Sequence, residues 1–99
     1  MNKNLNSKKI LKEIENRKSE LKKLGVKRIG LFGSFVKGKS GKNSDIDFLV
    51  NFEKITFDNY FYLLRFFEKI FNKKIDLVIE SDLKPELVYV KKEAEYVEI

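Results

Sequence analysis

The stretch from residue 29 to residue 50 leaves few folds open to this chain. It reads Ile-Gly-Leu-Phe-Gly-Ser-Phe-Val-Lys-Gly-Lys-Ser-Gly-Lys-Asn-Ser-Asp-Ile-Asp-Phe-Leu-Val. An apolar strand over 26–32 breaks at Gly33-Ser34, a polar loop covers 38–44, and a second strand over 45–52 opens on Asp45-Ile46-Asp47. Alternate residues of a strand share a face, so Asp45 and Asp47 stand side by side while Ile46 turns away. Two adjacent carboxylates repel unless something positive lies between them. Oxygen-only ligands suit a hard cation such as Mg²⁺ or Mn²⁺. The Gly-Ser break offers backbone N–H groups and a hydroxyl to a phosphate. Metal together with phosphate is the chemistry this stretch points to.

A second motif overlaps the first. Residues 33–40 fit the P-loop pattern G-x-x-x-x-G-K-[ST] letter for letter. That pattern works only where the Lys-Ser pair opens a helix. Here Ser40 runs into the turn-forming cluster Gly41-Lys42-Asn43-Ser44, and the next strand follows at once. No helix fits in that gap.

The residues Gly33-Ser34, Lys37-Gly38 and Ser44-Asp45-Ile46-Asp47 resemble the signature of the DNA polymerase β-like nucleotidyltransferases. The resemblance narrows to the minimal nucleotidyltransferase (MNT) antitoxins, which are encoded beside HEPN-domain partners in toxin–antitoxin pairs. It extends to a basic N-terminal helix, to a third acid within Lys74-Ile75-Asp76-Leu77-Val78, and to the tail Leu83-Lys84-Pro85-Glu86-Leu87. The family commonly has Arg where Lys37 stands; lysine keeps the charge and loses the bidentate geometry.

The resemblance implies an α/β (α+β) fold, a small mixed sheet flanked by helices in the manner of a polymerase β-like palm. It implies Asp45, Asp47 and Asp76 as ligands of two Mg²⁺ ions, Asp76 doubling as general base, in a two-metal phosphoryl transfer. Gly33 and Ser34 would hold the β/γ-phosphates of ATP, with Lys37 as a nearby cation and Ser44 in the nucleotide loop. The implied acceptor is a tyrosine hydroxyl on a HEPN-type toxin. Two alternatives stand beside this expectation. One is a non-catalytic antitoxin that neutralises its partner by occlusion; the other is a transferase acting on a small molecule or an RNA end.

Composition bounds the rest. Ninety-nine residues with 42% hydrophobic content predict a single domain over 1–99. A chain of this size buries roughly 60–65% of its extended surface, enough for one modest core. With no Cys and no His, disulfides, thiolate or imidazole metal sites and the usual Ser–His or Cys–His nucleophiles are excluded. Any general base must then be a carboxylate, Lys or Tyr. No apolar run approaches the ~18 residues of a membrane span, and residues 1–6 lack a signal-peptide core, so a cytoplasmic location is expected. Charge is uneven: residues 1–42 carry thirteen Lys/Arg against three acids, residues 43–99 eight against twelve. A basic half predicts attraction to a polyanion, whether a nucleotide triphosphate or RNA, or simply a solvated basic helix.

Along the chain, Ser7 is expected to cap a helix over 8–24 that stops at Gly25. One helical turn is expected over 34–37. Thr56 caps a helix over 57–71 whose Phe57, Tyr60, Phe61, Tyr62, Phe66 and Phe67 spread beyond a single stripe. Core packing accounts for most of these aromatics, and a remainder is left for a partner. A third strand over 75–80 carries Asp76. A last helix is expected to start at Ser81-Asp82, with Pro85 in its first turn, and to run to Glu93; 96–99 is read as extended.

Overall fold

The computed structural model describes residues 5–39, 41 and 44–99. Two helices, α1 (Ser7–Asn16) and α2 (Lys18–Lys23), precede strand β1 (Val26–Phe32) and a 3₁₀ turn at Gly33–Phe35. Strand β2 (Ile46–Phe52), helix α3 (Phe57–Phe71) and strand β3 (Ile75–Ile79) follow. Two further 3₁₀ turns (Glu80–Asp82 and Pro85–Leu87), a short helix α4 (Tyr89–Glu93) and strand β4 (Glu95–Glu98) complete the chain. The sheet order is β3-β2-β1-β4. β1 pairs antiparallel with β2 and with β4, whereas β2 and β3 run parallel through α3. This is the mixed sheet with flanking helices that the sequence predicts.

The period-2 pattern sorts the strands into two faces. Ile29, Leu31, Ile46, Phe48, Val50, Leu77 and Val97 join one core with Ile10, Ile14, Leu21, Leu63 and Phe67 from the helices. Phe48 stacks on Phe67 at 4.5 Å between ring centroids, an aromatic pair that adds about 0.5–1.5 kcal/mol beyond the area it buries. Helices α1, α2 and α3 therefore cover one face. The other face carries the alternate residues. One cross-strand row is Phe32–Asp47–Asp76, and the next is Tyr96–Gly30–Leu49–Val78. Leu49 is buried here too, outside the helix-side core, so the apolar run Phe48-Leu49-Val50 is covered on both faces.

Several boundaries depart from expectation. The first helix is two helices that meet at Arg17, where the backbone leaves helical geometry (φ −118°, ψ 23°). Its N-cap is Asn6, whose side chain accepts from the Lys9 N–H, and Ser7 is the first helical residue. Asn and Ser are about equal as caps, so the adjacent pair offers either. The last helix is a 3₁₀ turn followed by α4. Lys84 precedes Pro85 and is extended (φ −67°, ψ 150°), because the proline ring excludes the α-region from the residue before it. Ser81 and Asp82 accordingly sit in the turn after β3, which ends at Ile79 rather than Glu80.

Candidate active site

Where β1 ends, Gly33 takes a φ of +79°, a conformation that L side chains rarely adopt. Its missing side chain matters as much. A Cβ there would overlap the Asp47 carboxylate and come within 2.9 Å of its Cγ. Gly33 thus lets the backbone lie directly against Asp47. The 3₁₀ turn that it opens is held by its own carbonyl, which accepts from the Val36 and Lys37 N–H groups at 3.1 Å each.

Asp47 and Asp76 are register partners across the parallel β2–β3 pair. They meet at one end of the open face, beside Gly33. Asp47 has its pKa raised to about 6, first by burial, then by repulsion from and a side-chain hydrogen bond with Asp76, and last by Asp45. Asp45 lies one residue before β2, exposed, with Ile46 between it and Asp47 fully buried. The structure thus brings Asp47 and Asp76 together as a close pair, with Asp45 exerting the weakest repulsion on Asp47. Among the described residues no three acidic side chains converge into a ready-made metal cage. The donor set nevertheless fits a hard cation: it is all oxygen, and its pair of carboxylates is one that charge neutralisation would relieve.

The remaining candidates surround this pair. Lys37 is exposed and reaches Glu93 of α4 at 3.8 Å. The Ser44 hydroxyl accepts from the Gly41 N–H at 2.7 Å and closes the loop that leads to Asp45. Lys73 Nζ lies 3.5 Å from the Ser44 carbonyl and over the Phe35 ring, so that loop is tied to the first turn. Between Lys39 and β2 no described residue is helical, which removes the P-loop reading; Ser40, Lys42 and Asn43 lie outside the described residues.

Two features escape sequence reasoning. A cleft of about 490 Å³ is lined by Gly33, Lys37, Asp76 and Val78 and by the connection between β3 and β4. That connection supplies the wall with Leu83, Lys84, Leu87, Tyr89 and Val90. The second is the anchor at the start of this connection. Glu80, only 7% exposed, accepts from Arg28 Nη2 at 2.7 Å, and the Arg28 guanidinium lies 4.1 Å over the Tyr96 ring. That ring covers Gly30, where a Cβ would come within 2.7 Å of it. The Glu80 bond raises the Arg28 pKa further. Fifty-two residues separate the partners, and no local pattern marks either one.

Comparison with known proteins now decides the family. The nucleotidyltransferase domain matches residues 8–97. The chain belongs to the nucleotidyltransferase family. Its relatives include the protein adenylyltransferase MntA of Thermococcus cleftensis, 40% identical over 80 residues that cover 75% of this chain and 81% of that protein. Among solved structures, one assigned as a minimal nucleotidyltransferase superposes with a TM-score of 0.78 at 29% identity, covering 93% of this chain and 96% of that one. Two toxin–antitoxin complexes share the fold at lower identity. The first, with AMP-PNP, has a TM-score of 0.66 at 23% identity (83% and 70% covered). The second joins a tri-AMPylated Shewanella oneidensis HEPN toxin to an MNT antitoxin, with a TM-score of 0.60 at 19% identity (86% and 69% covered). This nucleotidyltransferase has no helix among its described residues long and apolar enough to cross a membrane.

Proposed function

We propose that this nucleotidyltransferase moves AMP from ATP to a hydroxyl, a tyrosine of a HEPN-type toxin encoded nearby, and acts in this way as the antitoxin. The observation that carries the reading is the Asp47–Asp76 pair lying in register, with Asp47 against Gly33 and with Asp76 and Gly33 both lining the cleft. The MntA relative and the two toxin–antitoxin complexes support the choice of AMP and of a protein acceptor.

In this reading Asp45, Asp47 and Asp76 would hold the metal ions, two Mg²⁺. When bound, Mg²⁺ offsets the charge of the triphosphate and acidifies the acceptor hydroxyl. The chain's own residues do the rest by positioning and charge. Gly33 and Ser34 present the first turn to the β/γ-phosphates, and Lys37 adds a cation. The Ser44 hydroxyl accepts within its own loop and keeps its proton to donate to the nucleotide. A carboxylate oxygen of Asp76 takes the proton of the acceptor hydroxyl. The acceptor oxygen bonds to the α-phosphorus, the α–β anhydride bond breaks, and pyrophosphate leaves.

A second reading rests on the exposed aromatics of α3. Phe57 (74% exposed) and Phe61 pack edge to face at 4.9 Å on the surface, beside Tyr62. Such a patch fits partner binding and would serve an occluding antitoxin equally well. Asp76→Asn separates the two readings. The variant is expected to keep much of its Mg²⁺-ATP affinity and to lose transfer at least ~10²-fold, the usual scale of a general base. With labelled ATP and the neighbouring HEPN protein, neutralisation should vanish together with the AMP adduct. Full neutralisation by Asp76→Asn without an adduct would establish occlusion instead.

A further inference from the structure

We infer that the 83–90 segment is a nucleoside subsite, with Tyr89 and Leu87 as the surface on which the base of the nucleotide rests. The inference rests on the nucleotide reading above and adds to it the residues that grip the base. The supporting observation is continuity. A single cleft of about 490 Å³ is lined by Gly33, Lys37, Asp76 and Val78 together with Leu83, Leu87 and Tyr89. A triphosphate seated on the Gly33 turn beside Lys37 leaves its nucleoside inside the same cleft, against the apolar wall.

The wall suits a flat, partly apolar ligand. Tyr89 is 53% exposed and Leu87 41%, large apolar surface for a domain of this size to leave in water. A base stacks on an aromatic ring or an aliphatic face whatever its edge pattern. Lys84, in the same lining, adds a second cation beside Lys37. The wall is also held in place. It is bound to the sheet at its start by Glu80, which accepts from Arg28, and at its end by the Lys37–Glu93 ion pair and by β4. Val90, beside Tyr89, is buried and fixes α4 against the open face.

A phosphate-only ligand isolates the subsite. Equilibrium binding of Mg²⁺-ATP and of Mg²⁺-tripolyphosphate is measured by calorimetry on the whole chain, as wild type, Tyr89→Ala and Leu87→Ser. Circular dichroism confirms that each variant is folded, and the two separate substitutions guard against loss of one. Wild type is expected to bind ATP at least about tenfold more tightly than tripolyphosphate, and each variant to lose roughly tenfold for ATP and nothing for tripolyphosphate. Equal wild-type affinity for the two ligands would overturn the subsite and leave the phosphate seat standing. So would unchanged ATP affinity in both folded variants. Failure of the wild type to bind either ligand would overturn the nucleotide reading itself.

Discussion

Asp47 carries the most unfavourable charge in the candidate site, and its cost has a pH signature. Its folded-state pKa, about 6, lies above the ordinary value of 3.8, so the folded chain holds that proton more tightly than the unfolded one. The stability linked to it is complete below about pH 4 and is lost as the pH rises through about 6. Asp47→Asn is therefore expected to raise the metal-free melting temperature at pH 7.5, with the advantage shrinking to nothing near pH 4. Melting curves of both proteins across that range check it, and a difference that grows toward acid would contradict it. Gly33 and Lys39 form a second test at this scale. Gly33→Val places a side chain on the Asp47 carboxylate in a left-handed conformation and should abolish transfer. Lys39→Ala removes an exposed loop cation and should cost a few-fold at most. The opposite order of damage in a transfer assay would revive the P-loop reading.

Among the elements, the connection from Glu80 to Glu93 depends on the Arg28–Glu80 bond. Glu80→Gln is expected to cost about 1–3 kcal/mol, because it leaves Arg28 with a weaker, uncharged partner. Arg28→Met combined with Glu80→Leu should recover much of that loss. Urea midpoints of the single and double variants decide it, and a double variant worse than the single one would show that the charges themselves are needed. None of this was legible beforehand, since the two partners meet only when β1 and the end of β3 are brought together. The strands were legible, because runs such as Phe48-Leu49-Val50 admit little else. The acids at 45, 47 and 76 could be singled out from alternation and from the cost of an acid in an apolar strand. Their grouping could not, because the Asp47–Asp76 register depends on a parallel crossover through α3. The break at Arg17 leaves no trace in the apolar pattern, since Ile14 and Leu21 are seven residues apart and stay almost in phase across it. The split of the last helix does have a local signal, Lys84 before Pro85, and reading the proline only as a good first-turn residue passed over it.

For the molecule as a whole, the sheet separates its basic helix layer from the candidate chemistry. Lys8, Lys9, Lys12, Lys22 and Lys23 belong to α1 and α2, which pack on the face opposite the Asp47–Asp76 pair. Face-to-face layers lie about 10 Å apart, beyond the Debye length of about 8 Å at physiological salt. Replacing Lys8, Lys9 and Lys12 with Gln should therefore leave Mg²⁺-ATP affinity within about twofold at that ionic strength, as calorimetry can measure. A loss of tenfold would mean that the helix layer reaches the cleft. The same architecture puts Asp76 on β3, one of the two edge strands of the sheet, with one side of its backbone unpaired by any strand among the described residues. There the Tyr60 hydroxyl donates to the Leu77 carbonyl at 2.5 Å. Unpaired strand margins are where chains template one another into fibrils, and proteins that persist at high concentration block them. By occupying the carbonyl next to Asp76, one phenol from α3 makes that margin a poorer template, so the strand bearing the candidate acid is also guarded against self-assembly.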